Sequence, residues 1–384
     1  MLGGGWRIGR IAGVEIRIDQ SWALIALLVT YSLFLRFAQL YEDLTTGAAV
    51  ALAIVSALLF FGSVLTHEMA HALMARRRRI PVRGITLFIF GGATHAKVES
   101  RGPADEFLIS VVGPLTSLAL GALFGAIAIL GRPVLPDPVS GALGYLGWVN
   151  IILAIFNLLP GFPLDGGRVL RSAVWRITNS LPRATRIASI AGQAVGFLLI
   201  GLGLLALLLG YVGSAIWLAF IGWFLAQAAR TSYEELQVRS ILQGVDAEDV
   251  MARNLVAIPA DITLEEAVER HFMRYDHGGF PVEDEGQTVG FITLRGVKRV
   301  PREDWPTRTV RESMGDLDDQ VTVSPNTRMD PVLGKLQDGE INRVLVVEDG
   351  DVIGIITPTD VARWLQRWRV LRGEGVPSIG RDSG

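Results

Sequence analysis

The sequence contains no cysteine, only three lysines and only five histidines among its 384 residues. Without thiols the chain forms no disulfide and offers no thiolate to a metal, so metal ligands must come from histidine, aspartate and glutamate. Charge is also scarce, because Asp, Glu, Lys and Arg together make up 19% of the residues and the net charge is -2. A chain with this charge balance is not expected to bind nucleic acid.

Apolar residues, in contrast, form long runs. Half of the residues are hydrophobic and the mean hydropathy is +0.39, which is typical of a membrane protein. Six stretches are long enough to span a bilayer as helices, at residues 21–37, 48–75, 107–130, 143–159, 187–209 and 214–229. The first has no small-residue cleavage site and is followed by further apolar segments, so we expect a retained span and not a signal peptide.

Arginine supplies nearly all of the positive charge and lies mostly on one side of the predicted spans. The arginines on that side include Arg7, Arg10, Arg17, Arg76, Arg77, Arg78, Arg79, Arg83, Arg168, Arg171, Arg176, Arg183, Arg186, Arg230 and Arg239. The opposite loops hold only Arg36 and Arg132. By the positive-inside rule we expect both termini in the cytoplasm, and we expect a multi-pass protein of a bacterial inner or plasma membrane.

Two short segments outside the spans have the pattern of strands. Residues 7–19 (RIGRIAGVEIRID) alternate polar and apolar side chains, which predicts an amphipathic hairpin at the membrane surface. Residues 81–100 combine β-branched and aromatic residues with Gly91 and Gly92, which predicts a strand, a turn at the two glycines and a second strand. Non-helical backbone is tolerated at membrane depth only against protein or a water-filled cavity, so this hairpin is expected beside a buried site.

The character of the chain changes at about Ser232, where it becomes charged and amphipathic. One repeat copy begins with DVM at Asp249 and the other with ESM at Glu312, and each continues as strand, helix, two strands and helix. We predict a helical membrane domain of about six transmembrane helices at 1–231, followed by a cytosolic α/β domain. Its first repeat, with a linker, covers 232–306, its second repeat covers 307–372, and a disordered tail covers 373–384.

The second predicted span contains the sequence HEMAH, from His67 to His71. Residues four apart share a helix face, so the two histidines can direct ring nitrogens at one metal ion while Glu68 can reach a metal-bound water. An unpartnered polar group in a span is costly, which favours a functional interpretation of both histidines. For Glu68 the structural alternative, a buried partner of an arginine, stays open.

A catalytic zinc site usually takes three protein ligands and keeps a fourth position for water. The best candidate for the third ligand is Asp165, in NLLPGFPLDGG at the inner end of the fourth span. At 1.5 Å per residue, His67 lies about 29 Å and Asp165 about 33 Å from the outer ends of their spans, so the depths agree. Aspartate before glycine is also ordinary turn chemistry, and that alternative remains.

HEMAH on one membrane helix followed by NLLPGFPLDGGR on a later one resembles the site-2 protease family of intramembrane zinc metalloproteases. The repeat resembles a pair of cystathionine-β-synthase (CBS) domains. The first resemblance implies that His67, His71 and Asp165 bind one zinc ion and that Glu68 is the general base of peptide hydrolysis.

The same resemblance assigns roles in substrate binding. It implies that Asn157 helps to hold the substrate carbonyl or its oxyanion, although an interhelical hydrogen bond is an equal alternative. It also implies that the hairpin around Gly91 and Gly92 offers an edge strand to an unwound substrate segment. His95, just past these glycines, is either a ligand, a substrate contact or simply solvated.

CBS pairs often bind adenosine nucleotides, and the resemblance implies that a Thr/Ser-x-x-Asp signature contacts ribose and phosphate. The second copy keeps it as Thr357 and Asp360, whereas the first reads Thr293 and Gly296 and lacks the acid. At most one nucleotide site is therefore expected. The alternative is that Asp360 only caps the following helix. A homodimer through the CBS domains is also left open.

The leading functional hypothesis is an intramembrane zinc metalloendopeptidase that cleaves transmembrane segments and is regulated through its CBS pair. The family suggests a membrane-anchored transcription regulator, often an anti-sigma factor, as the substrate, with membrane lipid around the protein. One alternative is a CBS-regulated transporter or channel that uses the buried His and Asp side chains as an ion site. Another is a protease-like scaffold without catalysis, which is disfavoured because every member of the motif is present.

Overall fold

A computed structural model describes residues 6–88, 91–96, 101–253, 255–275, 278–315, 322–338 and 343–371. The chain divides into two compact units, Met1–Leu236 and Gln237–Gly384. The first unit is mainly helical with one small sheet, and the second contains two small sheets with helices.

Among the described residues, six helices of the chain are long and apolar enough to cross a membrane, so the six predicted spans are confirmed. These helices are α1 (Gln20–Leu40), α2 (Thr46–Arg77), α3 (Pro103–Leu130), α4 (Asp137–Asn157), α6 (Leu181–Leu208) and α7 (Val212–Leu242). Side-chain caps begin several of them: the carboxylate of Asp19 accepts a hydrogen bond from the Ser21 N–H at 2.9 Å, and Thr45 caps α2. The fifth helix in chain order, which follows α4, is shorter.

That shorter helix, α5 (Asp165–Thr178), is too short to span a bilayer and was not predicted. The sequence predicts Asp165 at the inner end of the fourth span. In the structure α4 ends at Asn157, the chain turns through residues 158–164, and Asp165 is the first residue of a new helix. Pro160 and Pro163 lie in this turn, where proline cannot continue the preceding helix.

Small residues allow the helices to approach closely. A Cβ atom added to Gly121 would lie 2.9 Å from the carbonyl oxygen of Gly147 in α4. A Cβ at Gly196 would lie 2.6 Å from the carbonyl oxygen of Gly222 in α7. Backbone-to-backbone contact of this kind is the usual way in which membrane helices pack, because burial of apolar surface gives little advantage in lipid.

The first unit also carries a four-stranded sheet in the order β1-β2-β3-β4, formed by Trp6–Ile11, Val14–Ile18, Val82–Phe88 and Gly91–Ala96. The predicted hairpin at 7–19 is confirmed as β1 and β2, which pair antiparallel, and β2 pairs parallel with β3. The predicted strands around Gly91 are confirmed as β3 and β4, which pair antiparallel, and β4 lies at the edge of the sheet.

The predicted turn at Gly91 and Gly92 is wrong in its position. Both glycines already belong to β4, where Gly91 pairs with Phe88 and Gly92 pairs with Leu87 of β3. Of the other residues in the predicted hairpin, 89–90 and 97–100 lie outside the described residues.

The second unit contains the two predicted β-α-β-β-α repeats, each with a three-stranded sheet. Preceded by α8 (Ala247–Val250), the first comprises β5 (Ile258–Pro259), α9 (Leu264–Ala267, continued by a π-helical turn at Val268–Phe272), β6 (Gly279–Asp284), β7 (Gln287–Thr293) and α10 (Leu294–Lys298). The second comprises β8 (Thr322–Val323), α11 (Met329–Asp338), β9 (Val344–Glu348), β10 (Asp351–Ile356) and α12 (Pro358–Leu371). The first two strands of each sheet pair parallel and the last two antiparallel.

The short segment that precedes each repeat in the sequence packs against the other repeat. This corrects the assignment of DVM to the first repeat and ESM to the second. Met251 of DVM packs in the core of the second repeat, where it covers Gly354 of β10. Met314 of ESM packs against the core of the first repeat, where it covers Gly290 of β7. The repeated sequence alone does not show this, because each leader fits the same apolar site in either copy.

Candidate metal centre

Three side chains meet at one point in the helical unit. The Nε2 atoms of His67 and His71, both on α2, lie 3.2 Å apart. An oxygen of Asp165, at the start of α5, lies 3.1 Å from the first Nε2 and 3.2 Å from the second. Both imidazoles are buried, and Asp165 is nearly so. The structure therefore brings together two residues one helical turn apart and a third that follows them by almost a hundred positions.

The hydrogen bonds on the far side of the imidazoles orient these nitrogens. His71 Nδ1 lies 2.6 Å from the carbonyl oxygen of Ile109, which can only accept, so Nδ1 carries the proton and Nε2 presents a lone pair. His67 Nδ1 lies 2.9 Å from the hydroxyl of Ser117. The lone pair of a neutral imidazole that faces a carboxylate and a second imidazole is repelled unless a proton or a metal cation lies among them.

The donor set suits zinc. Ligand atoms at about 2.0–2.1 Å from a tetrahedral zinc ion are about 3.3 Å from one another, which is close to the three distances between these atoms. The second nitrogen of a metal-bound histidine usually donates to a carbonyl, carboxylate or water, as His71 does to Ile109. Three protein ligands leave a fourth position for water or substrate. Among the described residues, no other group of three or more potential ligands converges in this way.

One face of α3 supports the two histidines, and sequence reasoning missed it. Ile109, Gly113 and Ser117 recur every four residues and therefore share this face. Ile109 and Ser117 bond to the two imidazoles, and a Cβ at Gly113 would lie 2.7 Å from His67 Nε2 and closer still to His71. Only glycine leaves room for both rings. In the sequence the only sign of this support is a glycine, Gly113, midway between Ile109 and Ser117 in an apolar helix. That pattern is too common in membrane helices to indicate a metal site.

Close backbone packing fixes the start of α5. A Cβ atom added to Gly166 would overlap the carbonyl group of Leu158. One added to Gly167 would overlap the backbone of Gly161. The turn before Asp165 is therefore folded directly onto the first turn of the helix. The N–H of Phe162 also donates to the carbonyl oxygen of Ala188 in α6, at 3.1 Å. These contacts hold the carboxylate opposite α2.

The remaining predicted site residues of the first unit are not members of this cluster of three. Glu68 is half-buried on α2, beside His67 in sequence. Asn157 is half-buried and is the last residue of α4. The backbones of Gly91 and Gly92 lie in β4, and that of His95 lies in the same strand opposite Gly84.

In the second unit, Thr357 and Asp360 form a reciprocal cap at the start of α12. The backbone N–H of Thr357 donates to Asp360 Oδ2 at 3.0 Å, its hydroxyl donates to the same oxygen at 2.6 Å, and the Asp360 N–H lies 3.3 Å from the hydroxyl. In the first repeat Thr293 caps α10 by accepting from the Gly296 N–H at 2.9 Å. Helix capping therefore gives Thr357 and Asp360 a structural role, in agreement with the alternative interpretation of Asp360.

Comparisons with known proteins give a matching family for each of the two units. Residues 55–136 and 125–202 match the model of peptidase family M50, and residues 247–303 and 314–367 match that of the CBS domain. A homologue from Synechocystis sp. named as a zinc metalloprotease is 35% identical, over 94% of this chain and 95% of its own. Zinc metalloprotease Rip3 of Mycobacterium tuberculosis is 36% identical, over 96% and 94% of the two chains.

Among solved structures, a site-2 protease from Methanocaldococcus jannaschii is similar, with a TM-score of 0.44 and 24% identity. The similarity covers 60% of this chain and 95% of the other.

The space left by Gly113 gives a direct test of the cluster. In Gly113→Ala the new methyl group must displace the imidazoles, so zinc affinity should fall by at least about tenfold. The measurement is the zinc content of the purified protein after dialysis against a graded chelator. Gly125→Ala, on the same helix and with nothing within 4 Å of its added Cβ, is the matched control and should retain zinc. Equal zinc retention in both variants would contradict the proposed position of the metal.

Proposed function

The chain belongs to peptidase family M50, the site-2 protease family, and we propose that this membrane metalloprotease hydrolyses peptide bonds within transmembrane segments by using one zinc ion held by His67, His71 and Asp165. The observation that carries the proposal is the convergence of these three ligand atoms, at 3.1 to 3.2 Å from one another, among helices apolar enough to span a bilayer. The transporter alternative is set aside, because the chain is a member of a peptidase family.

The chemistry divides between the metal and its neighbours. Zinc, when bound, lowers the pKa of a coordinated water and polarises the carbonyl to be attacked. Glu68 follows His67 on α2, so its carboxylate is available to take the proton from the attacking water and later to pass it to the leaving amine. Asn157 ends α4 at the turn that leads to Asp165, and we propose that its amide donates to the developing oxyanion.

A helical substrate hides its carbonyl groups in its own hydrogen bonds and must unwind locally before it can be cleaved. Strand β4 lies at the edge of its sheet, so the backbone of Gly91–Ala96 can pair with an unwound segment and offset the lost hydrogen bonds. Glycines at positions 91 and 92 allow another backbone to approach closely. We propose that this strand holds the substrate for hydrolysis.

We further propose that both termini and the CBS pair are cytoplasmic, as the arginine distribution predicts. A phosphatase reporter that is active only outside the cytoplasm should then be inactive when it is fused to the C-terminus and active when it is inserted between α3 and α4. The substrates proposed are membrane-anchored proteins, with a transcription regulator or anti-sigma factor as the family suggests. The proposed domain limits remain 1–231, 232–306 and 307–372.

Glu68→Gln tests the catalytic proposal. The amide keeps the size of the carboxylate but cannot take a proton, so cleavage should fall by at least about 100-fold while the zinc content stays at that of the wild type. Membrane proteins that accumulate in cells with the variant, compared with wild-type cells, should identify substrates, and cleavage of one of these is then measured with purified enzyme. His67→Ala serves as the control that loses zinc and activity together. Retained proteolysis by Glu68→Gln would overturn the assigned mechanism.

We also propose that the second repeat binds an adenosine nucleotide near Thr357 and Asp360 and thereby adjusts proteolysis. The supporting feature is the acid of the second repeat, which the first repeat replaces by Gly296. Isothermal titration of the purified chain with ATP and AMP should show at most one site, weakened about tenfold or more by Asp360→Ala. Thr293→Ala removes a helix cap in the other repeat and should leave binding unchanged. No binding to the wild-type chain would remove this proposal.

A further inference from the structure

A second charged pair is buried in the helical unit, between α3 and α5. The Nε atom of Arg171 donates to Glu106 Oε1 at 2.6 Å, and a second guanidinium nitrogen contacts the same oxygen. The side chains are only 10% and 1% exposed. Within the described part of the chain, the other carboxylate oxygen of Glu106 is buried and accepts no hydrogen bond.

Such a pair is a poor way to gain stability. Removing two charges from water costs several kcal/mol per ion, and apolar side chains of similar volume are often neutral or stabilising in their place. The unpaired oxygen of Glu106 adds a further cost. The pair instead restricts how α3 and α5 can move relative to each other, because two guanidinium nitrogens of Arg171 contact the same carboxylate oxygen of Glu106.

The pair lies in line with the supports of the histidines. Glu106 precedes Ile109, Gly113 and Ser117 on the same face of α3, at helical spacing. On this face the carbonyl of Ile109 binds His71 and the hydroxyl of Ser117 binds His67. Gly113 lies between them and leaves space for both imidazoles. One face of one helix therefore contacts the helix of Asp165 and both histidines.

Arg171 also reaches the chain on the other side of Asp165. Its guanidinium carbon lies 5.1 Å from the centre of the Phe162 ring, within the range of a cation–π contact. Phe162 belongs to the turn that enters α5, and Arg171 lies six residues after Asp165, about 9 Å along the helix. Asp165 therefore lies in the chain between Phe162, which the guanidinium contacts, and Arg171, which carries that guanidinium.

We infer that the Arg171–Glu106 pair is a positioning device that fixes Asp165 relative to the two histidines, and hence sets the affinity and geometry of the metal site. The inference rests on the proposed zinc site. A functional constellation must be held to within about 0.5 Å, and removing a group that orients a ligand typically lowers metal affinity 10–100-fold. Arg171 and Glu106 act through Asp165 and take no part in the proton transfers.

The test replaces both charges at once, with Glu106→Leu and Arg171→Met in one chain. No uncompensated charge remains, so the metal-free protein should keep the thermal midpoint of the wild type or exceed it. Zinc affinity, measured by chelator competition on the purified full-length protein, should nevertheless fall about 10–100-fold. The visible absorption spectrum of the Co²⁺-substituted protein should also change, because it reports the arrangement of ligands around the metal.

The matched control removes the exposed pair Arg230–Glu234 of α7 in the same way, with Arg230→Met and Glu234→Leu, and should bind zinc like the wild type. Wild-type affinity and an unchanged Co²⁺ spectrum in the Glu106→Leu, Arg171→Met protein would overturn the inference. Failure of the wild-type chain itself to bind zinc would instead overturn the proposed function.

A second variant covers the case in which the double replacement does not fold. Arg171→Lys keeps the positive charge but lacks the planar fork, so it should fold, bind zinc more weakly than the wild type and shift the Co²⁺ spectrum in the same direction. Arg171→Lys with the zinc affinity and spectrum of the wild type would overturn the inference as well.

Discussion

Two imidazole nitrogens and a carboxylate oxygen lie within 3.2 Å of one another in the helical unit, and both imidazoles are buried. Their lone pairs and negative charge repel unless a proton or a metal cation lies among them, and a metal with three ligands satisfies all of them at once. This requirement dictates much of the surrounding architecture. Two ligands on one helix and a third on another can share an ion only if both helices are held at a fixed distance.

Helix α3 supplies that distance. Its carbonyl at Ile109 and hydroxyl at Ser117 orient the rings, and the absence of a side chain at Gly113 lets the rings come together. At its start, Glu106 binds Arg171 of the helix that carries Asp165. Small residues elsewhere bring the helices into backbone contact, so the site is built on rigid elements even though its third ligand follows a loop.

Much of this arrangement follows from local rules. The six spans are predictable because hydrophobic length is a property of each segment by itself, and the two histidines are predictable because residues four apart share a helix face. That Asp165 lies near the histidines could be estimated by counting residues along the preceding span, α4. The start of α5 could not, because a short amphipathic helix after two prolines competes with a simple turn.

Other features depend on contacts that leave little trace in the sequence. The partner of His71 is a backbone carbonyl, which every residue has, and a glycine such as Gly113 is ordinary in packed membrane helices. The exchange of Met251 and Met314 between the repeats is invisible because the two copies offer equivalent apolar sites. Gly91 and Gly92 were expected in a turn and lie in β4, because glycine is as compatible with an edge strand as with a turn.

The coordination of the metal tests the central claim most directly. X-ray absorption spectroscopy at the zinc edge of the purified protein should show two imidazole nitrogens at about 2.0–2.1 Å and oxygen ligands at about 2.0–2.2 Å, with no sulfur. His71→Ala, like His67→Ala, should lose the bound zinc and with it this spectrum. A zinc ion with no imidazole ligand, or a spectrum that His71→Ala leaves unchanged, would contradict a site built from His67, His71 and Asp165.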